Sequence, residues 1–137
     1  MRFTLPMLVL FAVPLLADGS VTTVVVTRDN QQKTGVEFTL TTEKHSDPTL
    51  DTVFVKLVVT KKGKLERLNE VLVQVKEGDA LTLRVPLSLR QEKGSWVGTF
   101  HMSPGQARRC EIRLVCPSPV RTSVTSYDVQ LGTYLKK

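Results

Sequence analysis

Four side chains in this sequence could serve as nucleophile, base or metal ligand in the usual ways: Cys110, Cys116, His45 and His101. A cysteine attacks as its thiolate, so it needs a neighbour that lowers its pKa. Arg108 and Arg109 precede Cys110 in "RRCEIRLVCPSP" and would do this if that thiol were exposed. A cysteine–histidine couple would then make a thiol enzyme. The histidines give this little support. His101 falls on the polar side of "SWVGTFHM" with Val97 and Thr99. His45 stands in "EKHSDP" beside Ser46 and Asp47, and catalytic triads converge in space rather than in a row of sequence. It reads as a solvated turn. The spacing of the cysteines matches no zinc knuckle. Asp47 and Asp51 in "HSDPTLD" are too sparse for a calcium loop. "GSWVG" opens a strand rather than a helix and is no phosphate loop. The reading is therefore of a protein that is not an enzyme, with no cofactor and no metal.

The two cysteines flank "EIRLV", in which Ile112 and Leu114 alternate with Glu111, Arg113 and Val115. That alternation is a strand with one buried face. Along a strand Cys110 and Cys116 would lie roughly 20 Å apart, and a disulfide needs Cα atoms within about 7 Å. Export, however, favours paired cysteines. Three states stay open: two buried free thiols, a bond across a bent segment, or an intermolecular bond or reactive thiol. Pro117 and Pro119 end the strand at Cys116, which makes that thiol the more exposed of the two.

The opening "MRFTLPMLVLFAVPLLADGS" has the layout of a secretory signal peptide over residues 1–19. Arg2 supplies the positive region and an uncharged stretch follows from Phe3 to Ala17. Small residues, Ala17 and Gly19, precede a cut after Gly19. The apolar run is shorter than the roughly 20 residues a membrane span wants. Residues 20–137 then form a single exported domain. The cut removes one basic and one acidic residue, so the net charge stays at +6.

The rest reads as short strands. "VEFTL" sets Val36, Phe38 and Leu40 on one face, and "VFVKLVV" does the same with Val53, Val55, Leu57 and Val59. In "ALTLRVPLSLR" the residues Leu81, Leu83, Val85, Leu87 and Leu89 share a face, and Pro86 places that strand at an edge or bends it. "VVTKKGKLE" has the form of a hairpin with Gly63 at its tip. In "KLERLNEVLVQVK" a strand begins at Val71 after a loop or one helical turn. From Val120 to Leu135 the apolar phase switches between even and odd positions, which calls for a bulge or break. Trp96, Phe38, Phe54 and Phe100 read as core residues. About seven or eight strands with turn residues between them make an immunoglobulin-like, two-sheet antiparallel β-sandwich, or alternatively a small β-barrel. The likeness is one of architecture: Trp96 precedes both cysteines instead of standing between distant ones.

Charge gives the remaining signal. Lys61, Lys62, Lys64 and Arg67 form one basic cluster; Arg108, Arg109, Arg113, Arg121, Lys136 and Lys137 gather near the C-terminus. Lys61, Lys62, Lys64, Arg67, Arg108 and Arg109 are the candidate interaction surface. Its partner would be a protein or an anionic envelope or glycan surface. The aromatics are too few for a base-stacking face, which argues against nucleic acid. The function expected is extracytoplasmic binding or structural support. A small-ligand carrier is the alternative, and a thiol-dependent enzyme or redox protein using Cys110 or Cys116 stands behind it.

Overall fold

A computed structural model describes residues 20–47, 49–119 and 122–135. Residues 1–19, expected above to be a signal peptide, lie outside these, as do Arg121, Lys136 and Lys137. In chain order the strands are β1 (Ser20–Val26), β2 (Phe38–Lys44), β3 (Val53–Val59), β4 (Glu70–Glu77), β5 (Ala80–Pro86), β6 (Arg90–Glu92), β7 (Ser95–Met102), β8 (Cys110–Pro117) and β9 (Ser123–Gln130). Two short helices, α1 (Gln31–Thr34) and α2 (Pro104–Arg108), and 3₁₀ turns at Gly63–Leu65 and Leu131–Tyr134 fill connections. The strands form two open sheets, β1-β9-β8-β4-β5 and β2-β3-β7-β6. This is an immunoglobulin-like two-sheet β-sandwich, not a barrel. Every pairing is antiparallel except that of β1 with β9. Among the described residues no helix is long and apolar enough to cross a membrane.

The inner faces make the core. Val53, Val55, Leu57 and Val59 from β3 meet Val71, Val73 and Val75 from β4, with Cys110, Ile112, Leu114 and Cys116 from β8 and Tyr127 and Val129 from β9. Each set sits at alternate positions, because successive strand side chains point to opposite faces. Leu65 and Leu68 close one end of the sandwich. Ala107 and Leu131, on the connections that follow β7 and β9, close the other.

Several expectations need correction. "ALTLRVPLSLR" is not one strand with a buried face. β5 is indeed an edge and stops at Pro86. Its pairing with β4 slips by one residue between Val75 and Lys76, which sets Leu81 opposite Lys76. Leu81 and Val85 are left 43% and 44% exposed. Leu87 and Leu89 belong to the crossover into the second sheet, where they crowd Gly98: a Cβ there would meet Leu89 Cδ2 at 2.7 Å and Leu87 Cδ2 at 2.8 Å. Gly63 is not a hairpin tip, because β3 and β4 lie in different sheets. It starts a 3₁₀ turn at φ 62, a backbone region that suits glycine. The described part of the last segment has no bulge: β9 runs in unbroken register with β8, with Tyr127 and Val129 on the core face and Ser126 and Asp128, also buried, on the other. Phe54 is not core. It sits half-buried on the outer face of the second sheet, its ring 5.0 Å from that of His101.

Candidate interaction surface

The register fixes where the charges go. β3 lies beside β7 with Val53 opposite Met102 and Val59 opposite Trp96. The connections 60–69 and 103–109 therefore leave opposite ends of the sandwich. Lys61, Lys62, Lys64 and Arg67 stand at one end and Arg108 and Arg109 at the other. The structure does not bring the six together.

At the 60–69 end the backbone is held by its own turns. Leu65 N–H donates to the Lys62 carbonyl at 3.2 Å, and Leu68 N–H to the Leu65 carbonyl at 3.1 Å. Because Leu65 and Leu68 point inward, Lys64, Glu66 and Arg67 point out. Two of the cations are engaged. Lys61 Nζ lies 4.4 Å from the centroid of the Trp96 ring, a cation–π contact. Lys64 Nζ donates to the Thr34 carbonyl at the end of α1, at 2.7 Å, with its stem packed over Gly35. Lys62 and Arg67 are exposed and, among the described residues, neither pairs with a carboxylate. Arg67 borders a groove of about 210 Å³ whose other wall is Cys116 to Pro119 with Thr125 and Tyr127.

The opposite end is electrically mixed. Ser103 caps α2 by accepting the Gln106 N–H at 3.3 Å, and Pro104 supplies its first turn. Arg109 reaches Glu77 at 3.4 Å, an exposed pair of small energetic weight. Arg108 borders an open groove of about 850 Å³ together with Glu43, Lys44 and Asp51.

Both thiols are free and buried on the core side of β8. Cys116 is the more exposed of the two, as expected, but at 6% against 1% both are buried, because the strand continues through Pro117. Burial pushes the Cys110 thiol up to about 12 and the Cys116 thiol up to about 11, against an ordinary value of 9.0. The neighbouring arginines do not reverse this, since the desolvation of a buried thiolate outweighs a solvent-screened cation. These thiols are protonated at neutral pH and should resist alkylation by iodoacetamide until the chain unfolds, Cys116 reacting before Cys110. The same values set an alkaline weakness. Unfolded thiols ionise near pH 9, while folded ones stay neutral to about 11 and 12, so stability holds below pH 9 and falls as pH rises beyond it. Tyr134, also pushed up to about 12 by burial, adds to the loss with the same sign. Urea midpoints from pH 8 to 11 should fall less steeply in Cys110→Ala/Cys116→Ala than in the parent. Parallel slopes would mean the thiols are hydrated.

The histidines stand apart from the thiols. His45 is exposed; its Nδ1 accepts the Asp47 N–H at 3.0 Å. Asp47 in turn accepts from the Thr49 hydroxyl at 2.7 Å and its N–H at 2.9 Å, bonds that hold its carboxyl below the usual range. This is turn chemistry. His101 lies on the outer face of the second sheet and Cys110 on the inner face of the first, so they form no couple. Among the described residues no group of three or more His, Cys, Asp or Glu could hold a metal ion.

One polar cluster escaped the sequence reading. On the outer face of the five-stranded sheet Arg113 donates to Asp128 through Nε at 2.8 Å and Nη2 at 3.0 Å. Beside them Gln130 donates to Glu111 at 3.1 Å, and Lys76 lies 3.4 Å from the same carboxylate. Asp128 is the lone charged residue between Thr122 and Leu135, and that isolation was the available signal. No protein family, curated protein or solved structure matches the chain.

Proposed function

We propose that the chain is exported and acts outside the cytoplasm as a non-enzymatic binding module, docking an anionic envelope polymer or glycan against its 60–69 end. One observation carries the reading. Lys62 and Arg67 are exposed cations without carboxylate partners, on a connection pinned by Leu65 and Leu68, with Lys61 stacked on Trp96 alongside. A rigid, unneutralised cluster attracts anions without first breaking internal ion pairs. The mixed charge at the other end has no such surplus. The buried thiols offer no support to a thiol enzyme, and the open sheets do not form the barrel that a carrier would need.

Heparin affinity at low ionic strength tests this. Lys62→Glu/Arg67→Glu should weaken retention by roughly tenfold or more, since each cation near an anionic surface contributes about 1 kcal/mol. Arg108→Glu/Arg109→Glu should leave it nearly unchanged, and added salt should erase the difference. Equal losses in both variants would reduce the reading to net charge alone. An acidic protein as the true partner would show as salt-sensitive binding to that protein with no preference for the glycan.

A further inference from the structure

We propose that two copies of this chain join edge to edge through β1, antiparallel about a twofold axis at Thr23, so that their five-stranded sheets become one. The outer edge of β1 carries open backbone groups. Ser20 N–H donates to the Thr122 carbonyl on the β9 side, at 2.7 Å. Asn30 Nδ2 reaches the Val25 carbonyl from the other side, at 3.0 Å. Backbone groups alternate along a strand, so even-numbered residues of β1 face β9, and Val21, Thr23 and Val25 turn their N–H and C=O groups outward. Asn30 occupies one lone pair at Val25 and marks where the open edge stops; a carbonyl has a second lone pair to give.

This edge is also self-complementary. Across a twofold axis at Thr23, that residue meets its own copy and Val21 meets the copy's Val25. The open backbone groups are at these same residues, so each pair exchanges hydrogen bonds. Their side chains read Val-Thr-Val in either direction on one face, where Val21 is 70% and Val25 53% exposed. An isologous contact requires this symmetry.

Charge does not oppose the contact. Edges are normally guarded by charged residues or proline. β5 carries Arg84 and Pro86, β2 carries Glu43 and Lys44, and β6 carries Arg90 and Glu92. β1 has neither charge nor proline. Two copies of β1 can therefore approach without like charges meeting. One short strand per copy buries less than the roughly 1,200 Å² of a standard stable interface. The dimer is accordingly a concentration-dependent one, with dissociation in the micromolar range.

The test uses the exported chain, its N-terminus fixed by intact mass. Sedimentation velocity over a concentration series should show monomer passing to dimer. Thr23→Lys sets two ammonium groups opposite each other and should weaken the dimer about tenfold or more, while Thr23→Val should keep it. Thr23→Cys places the introduced thiols on a hydrogen-bonded pair with Cα atoms about 5.5 Å apart, within disulfide reach. Mild oxidation should then give a covalent dimer, and Thr82→Cys on β5 should not. A monomer at every concentration, a dimer indifferent to Thr23→Lys, or cross-linking no faster from position 23 than from 82 would each overturn the proposal.

Discussion

Replacing Arg113 by alanine should lower stability by about 3 kcal/mol, the low end of the range found when one partner of a buried ion pair is removed, because the guanidinium is 28% exposed. Asp128 has only 6% of its side chain exposed and receives two bonds from one guanidinium. Without Arg113 its carboxylate would stay buried beside no cation. Glu111, one row away on β8, would add repulsion. Arg113→Lys should recover part of the loss, since an ammonium cannot fill both carboxylate oxygens in the planar two-point fashion. Arg113→Leu/Asp128→Leu should come back close to the parent, because no charge then remains to be satisfied. Urea unfolding at neutral pH reads all three variants. A double variant as unstable as Arg113→Ala would mean that the pair does more for folding than neutralise itself.

Leu114→Ala should cost a similar amount, about 3 kcal/mol within the usual range for such truncations. Leu114 is fully buried at the middle of β8, opposite Val71 on β4 and Tyr127 on β9. Both neighbours belong to strands paired on two sides, so the cavity has little room to collapse. Leu81→Ala in the same sheet removes the same atoms from a site already 43% exposed, and it should cost well under 1 kcal/mol. The pair is a direct check on the corrected reading of "ALTLRVPLSLR". Comparable losses at Leu81 and Leu114 would restore the buried face to β5.

The contrast also explains what sequence could and could not reveal. "VFVKLVV" and "CEIRLVC" alternate, sit in strands paired on both sides, and bury the faces they advertise. "ALTLRVPLSLR" alternates more regularly still. Yet alternation reports phase and not what stands opposite. A one-residue slip and a crossover divide this run between an edge strand and a plug against Gly98. Likewise, "KKGK" has the composition of a turn but not its destination, since hairpin and crossover start alike. The basic clusters were visible as composition. Their placement at opposite ends depends on the antiparallel course of β3 and β7, a pairing between segments far apart in sequence. Arg113 and Asp128 lay in separate strands, and only the β8–β9 register makes them neighbours.

The pairing of β1 with β9 has a consequence for the order of assembly. It ties the first described strand to the last, and nearby contacts such as that of Arg28 with Thr133 close a separation of 105 residues. Contacts so distant form late, because loop closure must precede them. The hairpins β2–β3, β4–β5, β6–β7 and β8–β9 need no such wait. A chain that emerges from its N-terminus onward therefore holds β1 without a partner until β9 has been delivered. The strand with the fewest guards against mispairing is the one exposed longest, and a cell that makes this protein at high level has most need of a chaperone during that interval.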